Sequence, residues 1–185
     1  MLPRGGVRVS AFCPTMVPME GTGRLLIVMR HAKAGELPGG PDFERALKSR
    51  GRSDSAAAGE WLRSRGFQPD AVICSAARRT RQTWQYVSEV LGAGASFTAD
   101  QRLYQADAED LLDIVGETPA EVRTLMYVGH NPAAAELVAL LTGPEPQFPT
   151  AAIAVIGVPG EWAELSAGDG TLVTSWTPGS GEAAA

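Results

Sequence analysis

Two histidines, the only ones in the chain, each follow a short apolar run. His31 comes after residues 25–29 with Arg30 between, and His130 comes after residues 125–128 with one glycine between. Apolar runs of this length, rich in branched residues, predict buried strands. An imidazole at a strand end can bind a metal, transfer a proton or attack phosphorus. A purely structural role for both histidines is the simplest alternative.

Arginines accompany the first histidine and a third strand end. Ser75 follows the apolar run 71–74, and Arg78 and Arg79 come shortly after it. Guanidinium groups present forked donors that match phosphate oxygens. The set therefore favours a pocket in which a phosphoryl group is held and its charge stabilised during transfer. A module that binds phosphate without turnover is a second interpretation.

A metal site is the competing interpretation of the same residues. The two histidines with Asp42 or Asp107 could supply three ligands, which is close to the set that zinc requires. Arg30 and Arg79 would then place two fixed positive charges beside a divalent cation. This electrostatic conflict favours an anion over a metal ion.

The elements that must position these residues alternate along the chain. Strands are predicted at the three apolar runs named above, and a short extended piece is predicted near Phe97. Helices are predicted at 43–65 (broken around Gly51 and capped by Ser53 or Asp54), 75–91, 108–116 and 132–141, and closing strands at 151–158, 162–165 and 171–176. The alternation predicts an α/β fold, a three-layer sandwich with a mostly parallel central sheet flanked by helices. Ligands of such sheets bind beyond the carboxyl ends of the strands.

Length and composition set the limits of the interpretation. The 185 residues, 44% of them hydrophobic, are enough for one domain with a buried core. A net charge of −5 argues against a broad nucleic-acid surface, and no apolar run is long enough to span a membrane. Two cysteines make neither a disulfide framework nor a zinc site, so we expect a cytoplasmic protein. We further expect a monomer with a disordered leader at 1–22, a domain at 23–177 and a flexible tail at 178–185.

Three segments together resemble a known family. Residues 30–34 read Arg-His-Ala-Lys-Ala, residues 74–83 read Cys-Ser-Ala-Ala-Arg-Arg-Thr-Arg-Gln-Thr, and residues 128–132 read Val-Gly-His-Asn-Pro. This combination is similar to the signature of the histidine phosphatase superfamily, in particular its small SixA-type phosphohistidine phosphatases. The resemblance extends over residues 24–162 and implies a phosphoglycerate-mutase-like fold.

The resemblance implies a role for each residue of the pocket. His31 matches the nucleophile that becomes phosphorylated, and Arg30, Arg79 and His130 match the groups that bind the phosphoryl group. Ser75 and Asn131 lie close to the pocket in this pattern, and Arg78 is the weaker candidate beside Arg79. The family needs no metal and no organic cofactor.

Gln105 marks a departure that bears on the substrate. Larger members of the superfamily carry a carboxylic acid there, and glutamine cannot protonate a leaving alkoxide. A phosphohistidine on another protein, or a small activated phosphate, needs no such acid, because its leaving group departs readily. Asp107 and Asp110 are the candidates for a substitute acid. A broad-specificity small-molecule phosphatase on the same fold is the alternative. Ala32 and Ala76 replace the family's usual glycine and proline.

Overall fold

The computed structural model describes residues 23–92 and 94–180, which form six strands and four α-helices. The strands are β1 Arg24–Arg30, β2 Ala71–Ser75, β3 Ser96–Asp100, β4 Thr124–Gly129, β5 Ile153–Val158 and β6 Thr171–Trp176. The helices are α1 Ser49–Ser64, α2 Arg78–Leu91, α3 Ala108–Gly116 and α4 Ala133–Thr142. The predicted leader at 1–22 and residues 181–185 of the predicted tail lie outside the described residues.

The strands form one sheet in the order β3-β2-β4-β1-β5-β6. β1, β2, β3 and β4 are parallel, and β5 and β6 extend the sheet antiparallel as a hairpin-like edge. The register pairs Arg30 with Gly129 across β1 and β4. Because His31 and His130 are the next residues, the register places the two histidines side by side at the carboxyl edge of the sheet.

Helices cover both faces of the sheet and create two cores. Helices α1 and α2 pack over Ile27 and Met29, while α3 and α4 pack over Leu26 and Val28. All four of these β1 side chains are completely buried, which is why the middle of the strand is continuously apolar instead of alternating. The predicted three-layer sandwich with a mostly parallel sheet is confirmed.

Several details of the predicted helices and strands are wrong. The helix predicted at 43–65 begins only at Ser49, after a separate 3-10 helix at Asp42–Glu44. Helix α1 is not broken at Gly51, which lies inside its first turn, and its N-cap is Lys48, not Ser53 or Asp54. Gly51 instead allows α1 to pack closely against the backbone of Lys33, because a Cβ at this position would lie 2.3 Å from the Lys33 carbonyl oxygen. The segment Trp162–Glu164 is a 3-10 helix and not a strand.

Helix α2 also begins later than predicted. Ser75 is the last residue of β2, and α2 starts at Arg78. Gly92 ends this helix in the left-handed conformation, as predicted, with φ of 63°. None of the helices in residues 23–92 and 94–180 has the length and apolar character needed to cross a membrane.

Candidate active site

The ends of β1, β2 and β4 bring the predicted residues into one pocket. The rings of His31 and His130 lie 5.2 Å apart, edge to face. Ser75 at the end of β2 is buried, and its Oγ lies 2.8 Å from Nε2 of His130. The sequence-derived convergence of strand ends is thus present in the structure.

Arg79 connects the two imidazoles. Its Nε lies 3.3 Å from Nε2 of His31, and its Nη2 lies 3.3 Å from Nδ1 of His130. The side chain comes from the first turn of α2 and is only 7% exposed. The resemblance favoured Arg79 over Arg78, and the structure places Arg79 in the pocket. Arg78 is exposed at the helix surface.

Asp42 anchors Arg79 from the loop between β1 and α1. Its carboxylate lies 3.0 Å from Nη2 of Arg79, and its backbone oxygen accepts a hydrogen bond from Nη1 at 2.8 Å. The same carboxylate accepts hydrogen bonds from Nη1 of Arg45 and from the hydroxyl of Tyr104, both at 2.7 Å. The hydrogen bond from Arg45, and to a lesser extent the one from Tyr104, holds the pKa of Asp42 well below its usual range. Asp42 is therefore an anion that positions donors and has no proton to give.

The tautomer of His31 follows from its neighbours. Nδ1 lies 2.8 Å from the carbonyl oxygen of Ala32, which can only accept, so Nδ1 carries the proton. Nε2 therefore holds a lone pair and faces the donor Nε of Arg79. A neutral imidazole whose Nε2 carries no proton can attack an electrophilic phosphorus in this cationic pocket.

His130 has the opposite arrangement. Nδ1 faces Arg79, which can only donate, so Nδ1 holds the lone pair and Nε2 donates to Ser75 Oγ. The edge of the ring also contacts Tyr104, with the centroids 5.5 Å apart. Ser75 and Tyr104 thus fix the orientation of this ring from two sides.

Both imidazoles are neutral at pH 7. Burial, followed by the positive charges of Arg79 and Arg30, lowers the pKa of His31 to about 4, against an opposing contribution from the Ala32 carbonyl. Burial, followed by the neighbouring His31 and Arg79, lowers the pKa of His130 to about 3. An anion in the pocket would offset the positive charges of the arginines, which suits the site to a phosphoryl group.

Arg30 and Asn131 meet at the carbonyl oxygen of Phe148. Nη1 of Arg30 donates to it at 2.9 Å and Nδ2 of Asn131 at 3.0 Å. Nε of Arg30 is buried and has no hydrogen-bond partner among the described residues. This unpaired N–H of Arg30 can donate a hydrogen bond to a phosphoryl oxygen bound beside His31.

Thr83 fixes the backbone after the first histidine. Its Oγ1 accepts a hydrogen bond from the buried N–H of Ala32 at 3.0 Å and donates to the carbonyl of Arg79 at 2.7 Å. Sequence reasoning assigned no role to Thr83, Tyr104 or Arg45, and considered Asp42 only as a metal ligand. Thr83 lies in segment 74–83, which carries the family resemblance, whereas Asp42, Arg45 and Tyr104 lie only within the range 24–162 over which the resemblance extends.

Gln105 and Asp107 stand apart from the pocket interactions. Gln105 is exposed, and within the described ranges no hydrogen bond links it to the site. Asp107 is the N-cap of α3 and accepts from the backbone N–H groups of Glu109 and Asp110, and the side chain of Asp110 completes a capping box. These carboxylates stabilise a helix start. In residues 23–92 and 94–180, no group of three or more His, Cys, Asp or Glu side chains is arranged to hold a metal ion.

Comparison with known proteins gives solved structures of the same fold. A SixA protein from Nakamurella multipartitia superposes with a TM-score of 0.76 at 30% identity, over 84% of this chain and 96% of that one. The protein histidine phosphatase SixA in complex with tungstate superposes with a TM-score of 0.69 at 26% identity, over 83% and 97%.

Comparison of sequences identifies the family. An uncharacterized protein of Mycobacterium tuberculosis is 35% identical over 161 residues, which cover 81% of this chain and 99% of that relative. The model of the histidine phosphatase superfamily (branch 1) matches residues 26–135. That match contains His31, Arg79 and His130, and the resemblance inferred from the three segments is confirmed. The chain belongs to the histidine phosphatase superfamily, is similar to its SixA members, and is a phosphatase of the hydrolase class.

Proposed function

We propose that the protein hydrolyses phosphohistidine through a phosphorylated His31. The Nε2 lone pair forms a bond to phosphorus while the N–P bond of the substrate breaks, and the leaving imidazole keeps that electron pair. Arg79 and Arg30 donate to the phosphoryl oxygens and stabilise the charge of the transition state. His130, which the resemblance matches to the same role, donates to an oxygen only when Nδ1 gains a proton, and the bound anion favours that protonated form. Ser75 and Asn131 position His130 and the Phe148 loop, respectively.

The second step returns the enzyme to its starting state. A water oxygen attacks phosphorus, the P–Nε2 bond breaks, and the electron pair returns to His31 as phosphate and a proton are released. The proton on Nδ1, held by the Ala32 carbonyl, stays in place throughout. The ring of the intermediate therefore leaves as a neutral imidazole, which is a good leaving group.

The ionised state of Asp42 supports phosphohistidine over an alkyl phosphate as the substrate. Asp42 is the carboxylate that contacts Arg79 in the pocket, and three donors keep it ionised. A general acid contributes about 10²–10⁴-fold to the departure of a poor leaving group. Without a proton donor at this position, an alkyl phosphate is a poor substrate, whereas a phosphohistidine is not affected.

The similar structures support the same proposal. One of them is a protein histidine phosphatase with tungstate bound, and tungstate is a tetrahedral oxyanion like phosphate. We propose a phosphohistidine-bearing protein as the substrate of this chain, with a small activated phosphate as the alternative. Action as a cytoplasmic monomer, independence of metals, and the boundaries 1–22, 23–177 and 178–185 stay predictions.

Phosphate release in the presence of EDTA tests the proposal. The substrates are a histidine-phosphorylated protein, p-nitrophenyl phosphate and a sugar phosphate, each given to the parent and to His31→Ala. We expect turnover of the phosphohistidine at least about 10²-fold above that of the sugar phosphate, and none in the variant. Equal rates on the sugar phosphate would support a broad-specificity phosphatase. Phosphate binding without any turnover would support a binding module.

A further inference from the structure

The surface beside the catalytic pocket is basic, although the chain as a whole is acidic. Residues 30–52 contain six lysines and arginines and three acidic residues, whereas residues 100–169 contain two arginines and twelve acidic residues. Four of those acids, Asp107, Glu109, Glu136 and Glu145, line one open cleft between α3 and α4. The charge is thus unevenly divided between the α1 side and the α3–α4 side of the molecule.

Three exposed side chains form what we call the basic rim: Lys33, Lys48 and Arg50. The N–H of Lys48 donates to the carbonyl of Lys33 at 2.9 Å. Gly51 lets α1 approach the Lys33 backbone closely, so the start of this helix lies directly against the loop that follows His31. The backbone at Lys33, two residues after the proposed nucleophile, is thus held against the start of α1 that carries Lys48 and Arg50.

The charges of the rim are largely uncompensated. In residues 23–92 and 94–180, neither Lys33 nor Lys48 forms an ion pair, and Arg50 has only a 3.5 Å contact with Asp54. The first turn of α1 contains no acidic residue. Exposed lysines and arginines without internal partners remain available for carboxylates of another molecule.

Two residues of the rim line a cleft near the pocket. Lys33 and Arg50 border this cleft of about 280 Å³ together with Asp54, Pro149, Thr150 and Pro178. Pro149 follows Phe148, whose carbonyl oxygen holds Arg30. The backbone N–H of Ala151 also donates to the carbonyl of His31 at 3.2 Å. The cleft thus lies beside the residues that hold Arg30 and the backbone of His31.

We propose that the basic rim docks the acidic surface around the phosphohistidine of a carrier protein, an inference that rests on the proposed function. Carboxylates of the carrier pair with Lys33, Lys48 and Arg50 while the acidic α3–α4 side repels them. This division of charge orients the carrier and increases its association rate. A nucleic acid fits less well, because its polyanionic backbone would also meet the acidic side.

Binding measurements with matched charge variants test the docking. The probe is a carrier protein phosphorylated on one histidine and surrounded by Asp and Glu; a second version has Asn and Gln at those positions. The rim variant is Lys33→Gln/Lys48→Gln/Arg50→Gln. The control variant, Arg63→Gln/Arg65→Gln/Arg123→Gln, removes the same charge at exposed positions far from residues 30–52. Each set is introduced into His31→Ala, so that binding is measured without turnover.

We expect the rim variant to bind the acidic carrier about tenfold more weakly and the control variant to bind it within about twofold of the parent. The Asn/Gln carrier should bind parent and rim variant equally. In the active enzyme, the loss of kcat/KM on the acidic carrier should exceed any loss on p-nitrophenyl phosphate by the same factor.

Equal binding of the acidic carrier by the rim and control variants would overturn the docking proposal. Equal weakening of a single-stranded RNA probe and of the carrier would instead indicate a general polyanion surface and would also overturn it. Failure of the parent to hydrolyse any phosphohistidine protein would overturn the proposed function alone, because binding to His31→Ala is measured independently.

Discussion

The carboxylate of Asp42 lies 3.0 Å from Nη2 of Arg79, across 37 residues of sequence. Asp42 is half exposed, whereas Arg79 is almost completely buried, so the pair connects the open mouth of the pocket with its floor. Arg79 in turn contacts both histidines. The carboxylate of Asp42 therefore helps to orient the guanidinium of Arg79 towards the proposed phosphoryl site.

Asp42→Asn should lower kcat/KM on a phosphohistidine protein by about ten- to hundredfold, because a charge-assisted hydrogen bond contributes about 1.5–3 kcal/mol. Asp42→Glu should recover part of the loss, since it keeps the charge. Glu44→Gln, an exposed position in the same 3-10 helix, is the matched control and should retain full activity. Steady-state kinetics of the three variants measures this. Normal activity of Asp42→Asn would show that Arg79 does not need its anchor.

The two imidazoles should titrate far below an ordinary histidine. Burial and the nearby arginines lower the pKa of His31 to about 4 and that of His130 to about 3. The nucleophile is therefore neutral above about pH 4 and becomes protonated below it, so this group should limit kcat/KM only on the acid side of pH 4. Because the sequence contains two histidines, ¹H–¹⁵N spectra of the imidazoles resolve both directly. A midpoint near 6.5 for His31 in the free protein would contradict the proposed electrostatics.

Stability should decrease as the pH falls from about 6.5 towards about 4. In this window the histidines of the unfolded chain are protonated while those of the folded chain are not, so the unfolded state binds more protons. Above about pH 6.5 this contribution to stability is fully present. Denaturant unfolding of the parent and of His31→Asn at each pH measures it. We expect a smaller decrease in His31→Asn, and identical curves would rule out the lowered pKa of His31 as a cause.

Thr83→Val should destabilise the protein by about 1–3 kcal/mol, because the buried N–H of Ala32 loses its acceptor in a side chain of nearly equal shape. Activity should fall as well, since Ala32 directly follows the nucleophile. Thr98→Val at an exposed position on β3 is the control and should change neither property. Thermal unfolding and phosphate release on both variants test this. A fully stable and active Thr83→Val protein would show that the loop needs no support from α2.

The sequence was sufficient to predict what depends on local patterns. The apolar runs before His31 and His130 predicted buried parallel strands, and a parallel sheet brings such strand ends together. The end of the helix predicted at 75–91 is also correct, because Gly92 closes α2 in the left-handed conformation. Arg79 was preferred over Arg78 from the family spacing alone, and the structure places Arg79 between the imidazoles.

The interactions that the sequence did not reveal connect distant residues. The contact between Tyr104 and Asp42 spans 62 positions, and no local pattern encodes it. Residues 162–165 were predicted to form a strand. In the structure Trp162 begins a 3-10 helix, its ring is buried, and its indole N–H donates to the carbonyl of Val122 at 2.8 Å. Gly51 was predicted to break the helix because glycine is a weak helix former. Its actual role, close packing against the Lys33 backbone, depends on a residue distant in the sequence.

Trapping of the phosphoenzyme tests the central claim most directly. The parent is mixed rapidly with a ³²P-labelled phosphohistidine protein in EDTA and quenched in alkali, and the labelled site is mapped by mass spectrometry and ³¹P NMR. The account predicts one acid-labile phosphoryl group on Nε2 of His31, absent from His31→Ala and formed and lost at rates compatible with turnover. Turnover without any phosphorylated intermediate, or a phosphoryl group on His130 instead, would contradict it.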